Sequence, residues 1–175
     1  MSTMSAEVNT TGKEPVELLK SGQVLAVCGS EGAGLIIQKP FFAEYVGTGA
    51  AIGGLFDLQC VTVYTLGEVT LTVPEDKEGR QSAFQKRIED IEAMQELCQL
   101  DSPLERGVKI LTQLCSQYDT FEVKSIPNDV LAKLVGVLPS MISEAWGQVK
   151  YQTNQAYSST SSGDSLQACM AGAAR

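Results

Sequence analysis

Not one of the 175 residues is a histidine. Histidine is the usual general base near neutral pH and the commonest metal ligand. Its absence excludes Ser-His-Asp and Cys-His nucleophile activation, HExxH zinc sites and facial-triad irons. Positive charge is scarce as well: 13 Lys and Arg stand against 21 Asp and Glu, for a net charge of −8. That sign opposes coating of a phosphate backbone or an anionic membrane. Nucleic acid is therefore disfavoured as a partner, although Lys86, Arg87, Arg106 and Lys109 could still form a local basic patch. No stretch approaches the roughly 18 apolar residues of a membrane span, so no membrane insertion is expected. The first residues carry neither a basic region nor an apolar run; no secretory signal is expected, and the expected location, by elimination, is cytoplasmic.

CxxC pairs are also missing. The five cysteines, Cys28, Cys60, Cys98, Cys115 and Cys169, are widely spaced, which supports neither a zinc ribbon nor a thioredoxin-like motif. An odd number of thiols inside apolar patterns reads as reduced, mostly buried cysteine. No cofactor and no metal site is expected.

What is present is a chain with 43% apolar and 19% charged residues, enough to bury a core. Residues 1–13 are polar and expected to be a disordered tail, and residues 153–175 a flexible Ser/Thr-rich one. Between them, residues 14–152 read as one α+β domain with two unlike parts: a small, mainly antiparallel sheet over 22–74, then a helical layer over 80–151. Val24–Cys28 and Leu35–Gln38, joined by a glycine-containing turn, suggest a hairpin. Residues 55–64 alternate, with Phe56, Leu58, Cys60, Thr62 and Tyr64 on one face; a turn at 65–68 leads into the clean alternation of Val69–Val73, a second expected hairpin.

In the helical part, Phe84, Ile88, Ile91, Met94, Leu97 and Cys98 recur at helical spacing. Asp101-Ser102-Pro103 is a stop and a restart, followed by the stripe Leu104, Val108, Leu111, Leu114 and Cys115. Residues 120–125 suggest a short edge strand or an extended link. Residues 130–149 carry a wide apolar stripe interrupted by Pro139, which predicts a kink or two consecutive helices.

Two glycine clusters are candidate ligand loops. In Cys28-Gly29-Ser30-Glu31-Gly32-Ala33-Gly34, Gly29 and Gly34 have P-loop spacing, but the lysine and hydroxyl that should follow are replaced by Leu35 and Ile36. Glu31 adds repulsion toward an anion, and position 34 lacks the arginine that a cysteine-centred phosphatase loop needs. Gly47-Thr48-Gly49-Ala50-Ala51-Ile52-Gly53 contains GxGxxxG without room for the helix of a dinucleotide site. The first cluster reads more simply as a hairpin connection that uses glycine for positive φ, and the second as a mobile loop between strands or a place where another backbone approaches closely. Glu89, Glu92 and Glu96 share a helix face, but a single ExxE beside Lys86 and Arg87 reads as a solvated face.

No catalytic set is complete, so the reading leans away from an enzyme. The first expectation is a non-catalytic protein–protein interaction, regulatory or adaptor module that self-associates. Leu131, Leu134, Leu138, Met141 and Trp146 are its partner-binding candidates, because a helix apolar on several sides needs cover. The alternative is a small-molecule-binding domain with its site at Cys28, Gly29, Glu31, Gly32, Gly34, Gly47 and Gly49. Glu31, Glu44 and Asp57 would then be its acid/base candidates.

Overall fold

The strands form, but they pair differently from the hairpins that the alternation implied. A computed structural model describes residues 14–29 and 32–160. After a short helix α1 (Glu14–Lys20) come β1 (Val24–Gly29), β2 (Gly34–Gln38), β3 (Ala43–Gly47), β4 (Ala51–Gly53), β5 (Thr62–Leu66) and β6 (Val69–Thr72). They make two antiparallel sheets, ordered β4-β1-β6 and β3-β2-β5. β1 and β2 therefore lie in different sheets, as do β5 and β6, and neither expected hairpin exists. Gly67, at φ 69°, turns the chain from one sheet to the other. Alternation records which face of a strand is buried but carries no information about its neighbour. The one true hairpin among these strands is β2–β3, in register from Gly34 opposite Gly47 to Gln38 opposite Ala43.

Residues 55–59 are not a strand. The segment turns, leaving Leu55, Phe56 and Leu58 exposed while Asp57 and Cys60 are buried. Leu25, Val27, Leu35, Ile37, Val46, Ile52 and Leu71 from both sheets meet with Leu19 of α1 in a shared core. Ile36, on the opposite face of β2, joins a second core made by the helices. β2 is thus buried on both faces, which is why Leu35-Ile36-Ile37 reads as a continuous apolar run. The α+β architecture is three layers: sheet, sheet, helices.

The helices are α2 (Lys77–Cys98), α3 (Pro103–Gln117), α4 (Thr120–Ser125), α5 (Asn128–Val135) and α6 (Pro139–Thr160). Asp76 caps α2 by accepting from Gly79 N at 2.6 Å, and Ser102 caps α3, with Pro103 in the first turn. Residues 120–125 are helical, not extended: Asp119 accepts from Phe121 N at 2.6 Å and starts α4, a capping signal stronger than the Phe121/Val123 alternation. The break expected at Pro139 is present as two helices. α6 continues through Thr160, past the point where the tail was expected to begin; residues 161–175 and 1–13 lie outside the described residues.

Candidate functional site

The helical layer contains a unit whose geometry is specific. α5 ends on Gly136, which sits in the left-handed region at φ 63°, ψ 46°, with its N–H donated back to Ala132 O. A residue with a Cβ is strained there, and glycine is the usual solution at a helix end. Only Gly136, Val137 and Leu138 separate the two helices, and α6 leaves at 97° to α5. Two helices near a right angle across a three- or four-residue, glycine-containing turn make a helix-turn-helix.

Three contacts hold that angle. Arg106 on α3 donates to Val135 O and Gly136 O at 3.3 and 3.4 Å, placing a cation on the carbonyl end of α5. Gly107 lets α6 approach α3, since a Cβ there would lie 3.1 Å from Ala145 Cβ. Asn128 Nδ2 donates to Ser143 Oγ at 3.0 Å, tying the start of α5 to the second turn of α6. Ile110, Leu111, Leu114, Val130, Leu131, Leu134, Ile142 and Ala145 fill the space between. Opposite this core, α6 presents Ser140, Ser143, Glu144, Gly147 and Gln148, one helical face at i, i+3, i+4, i+7 and i+8. Gln148 also borders an open groove of about 490 Å³ lined by Ser102, Leu104, Glu105, Val108, Lys109 and Thr112. Lys124 lies over the Trp146 ring at 5.7 Å, and Lys133 is half-buried on α5.

A second constellation joins the sheets to α2. Lys39 Nζ contacts Glu44 at 2.9 Å and Asp57 at 3.3 Å; Arg87 contacts both of the same carboxylates and donates to Ala51 O at 3.2 Å. Asp57 is 0% exposed and also accepts from Gly53 N at 2.8 Å. Beside it, Asp90 accepts from Gly47 N at 2.7 Å and pairs with Lys86 at 3.1 Å, which holds the lysine pKa above its ordinary value. Glu44 and Asp57, two of the three acid/base candidates, do converge. Each is matched by two cations in a closed cluster, and that suits them to clamping α2 on the sheet, not to shuttling protons. Glu31 lies outside the described residues.

The glycine loops also meet, and they fill each other. Gly34 pairs with Gly47, and Thr48 Oγ1 donates to Ala33 O at 2.6 Å. A Cβ on Gly34 would meet the Tyr118 hydroxyl at 2.5 Å, and one on Gly29 would collide with Glu68 O. Gly32 and Gly49 have φ of 91° and 87°, as turn glycines. Cys28 Sγ is 3.1 Å from Thr72 Oγ1. Tyr45 and Tyr118 share a 2.6 Å hydrogen bond between their hydroxyls, and burial raises the pKa of both phenols. Close approach of Glu68 O to Gly29, of the Tyr118 hydroxyl to Gly34 and of the Asp90 carboxylate to Gly47 thus accounts for these glycines.

Of the partner-binding candidates, Leu131 and Leu134 are covered from within the chain by α3 and α6 and are not open to a partner. Leu138 is 68% exposed, while Met141 and Trp146 are half-buried. The basic patch is not assembled: Arg87 is buried in the ion cluster and Arg106 is spent on the turn. The uncovered apolar surface lies elsewhere. Phe84, Ile88 and Ile91 run along α2 beside the buried Ala83, Arg87, Asp90 and Leu97, and Ile88 is 47% exposed. The Phe56 ring meets Phe84 edge-on at 5.6 Å and extends the patch to Leu55.

Sequence reasoning missed Lys39, Arg87 and Asp90 as buried charges, and missed the polar face of α6. The second was detectable as polar positions opposite the Ile142/Ala145 stripe. No single helix among the described residues is long and apolar enough to cross a membrane, and among them no cluster of acidic or thiol side chains could hold a metal. No protein-family model matches the chain, and no curated protein matches it.

Proposed function

We propose that this chain is a non-catalytic, self-associating regulatory module of the cytoplasm that docks on duplex DNA through α5, the 136–138 turn and α6. The observation that carries the reading is the 97° crossing of two helices over a three-residue turn closed by a left-handed glycine. In such units the second helix enters the major groove. The face that α6 leaves outside the core is polar, and its apolar residues are used within the chain. Against this stands the net charge of −8, which weakens phosphate attraction and slows encounter. Arg106 is tied to the turn carbonyls, and with Lys133 on α5, Lys150 on α6 and Lys124 beside Trp146 as the other cations of the unit, we expect a shallow salt dependence, a log–log slope of about −3 per protomer.

Self-association is assigned to the Phe84-Ile88-Ile91 side of α2, where Ile88 is exposed and Phe84 and Ile91 are half-buried. A 22-residue helix is about 33 Å long and can present an apolar seam to a second copy. A two-fold dimer would set two such units on half-sites about 10 base pairs apart.

Selection of the full chain on a random duplex library at 50 mM salt tests the reading. Enrichment of a bipartite site is the expected result; a pool that stays random overturns it. Sedimentation of wild type and Ile88→Asp tests the seam: a dimer that becomes a monomer supports it, and an unchanged sedimentation coefficient removes α2 as the interface.

A further inference from the structure

Large apolar side chains stand in water around the buried ion cluster, on two loops and α2. Asp57 is the hub: Lys39, at the start of the loop between β2 and β3, and Arg87 on α2 both reach its carboxylate at 3.3 Å. Close to these three in the chain lie Phe41 and Phe42, Leu55, Phe56 and Leu58, and Ile88. Lys39 N donates to Phe42 O at 2.8 Å and Lys39 Nζ lies 5.1 Å from the Phe42 ring centroid, so the first loop is held against the cluster. Phe41 is 91% and Leu55 84% exposed, and the other four are about half exposed. At roughly 200 Å² for a large side chain fully in water, the six leave about 700 Å² of apolar surface uncovered. The largest patch on a typical monomer is about 300–600 Å².

Resting on the self-association proposed above, we infer that the 40–42 and 55–58 loops belong to its interface and that a second copy of this chain covers them. Area is the first argument. A stable interface takes about 800 Å² from each partner. The α2 seam alone offers one exposed residue, Ile88, between half-buried Phe84 and Ile91, and falls far short. The loops continue that seam, because the Phe56 ring sits edge-on to Phe84 at 5.6 Å, and they bring the area to the required size. Charge points the same way. Two chains of −8 repel each other. Lys39, Glu44, Asp57 and Arg87 sum to zero and the six apolar residues carry no charge, so repulsion is weakest where this patch meets its own copy across a two-fold axis. Added salt screens the repulsion between the two bodies and leaves the apolar contact, so the dimer should tighten as salt rises.

The test is sedimentation equilibrium of full-length wild type, Phe41→Gln, Leu55→Gln, Ile88→Asp and Phe121→Gln at low and high salt. Phe121 is the control: it is 84% exposed on α4, whose Glu122 accepts from Gly67 N at the far end of the β2–β5 ladder from the loops. Each loop variant should keep the wild-type urea midpoint yet dimerise about ten-fold or more weakly, while Phe121→Gln dimerises like wild type. Equal weakening by Phe121→Gln, or a wild-type dimer that loosens as salt rises, overturns the assignment. If Ile88→Asp gives a monomer while both loop variants dimerise within about two-fold of wild type, the loops lie outside the interface and the α2 seam stands. If wild type is a monomer at every concentration, both fall; that monomer binding to phosphatidylcholine vesicles would give the loops to a lipid surface instead.

Discussion

Arg87→Met is the substitution that most directly probes how the sheets hold the helical layer. Lys39, Arg87, Glu44 and Asp57 sum to zero charge, and the Lys39 and Arg87 side chains are 6% and 8% exposed. Methionine fills the space of the arginine stem but leaves two carboxylates facing Lys39 alone, and frees Ala51 O of its 3.2 Å bond. Removing one member of a buried pair costs about 3–5 kcal/mol, because the remaining charge is uncompensated. Asp57→Asn alone unbalances the cluster in the opposite sense. Together the two changes restore neutrality, with Lys39 and Glu44 still 2.9 Å apart. The double variant should therefore lose less than the sum of the singles, by about 2 kcal/mol, within the range found for directly contacting groups. Urea unfolding of the four proteins at one pH measures the cycle. Additivity within about 0.5 kcal/mol would refute the view that these four charges act as one buried unit.

Alkaline pH should weaken the fold in part through Cys60. Burial pushes its thiol up from 9.0 to about 11, so the folded state holds that proton more tightly than the unfolded chain. The associated stability is complete below pH 9 and is lost as pH rises from 9 to about 11, on the order of 2 kcal/mol for this group. Cys60→Ala should flatten the unfolding free energy over that window; an unchanged pH slope would contradict the assignment. At the turn, Gly136→Ala should cost about 1 kcal/mol, because φ 63° is strained for a residue with a Cβ. Its signature is a lowered urea midpoint, and a variant as stable as wild type would mean that the turn relaxes into another geometry.

How much of this was legible in the chain depends on the range of the interaction concerned. Local signals survived: Ser102-Pro103 starts α3, and Pro139 opens a new helix after a glycine stop. The strands were placed, but their partners were not, because Val69–Thr72 alternates in the same way whether it pairs with β5 or, as it does, with β1. Arg87 was misread for a related reason. On α2 alone it belongs to a charged run with Lys86 and Glu89, and its burial is decided by Glu44 and Asp57, which are remote in sequence. The Val130–Val149 stripe was correctly seen to need cover, and that cover is intramolecular: Gly107 allows α3 to come close enough to supply it. On α2, buried charge on one face leaves Ile88 exposed and Phe84 half-buried beside it.

The DNA docking proposed for this acidic chain is less contradictory than net charge alone implies. Electrostatic attraction to phosphate supplies nearly all sequence-independent binding, whereas discrimination comes from contacts to base edges. A surface at −8 suppresses the first term at every site equally and leaves the second untouched. What matters among a large excess of competing sites is the ratio of specific to non-specific affinity, not either value alone. A module that touches few phosphates and reads base edges with one helix would sacrifice absolute affinity and keep that ratio. Pairing two copies through α2, as proposed, would recover affinity, because the second half-site would then be engaged as an intramolecular step. On this argument the proposed docking requires the proposed self-association, and Ile88→Asp should abolish detectable binding to a full site even though residue 88 lies on α2, outside the α5–α6 unit.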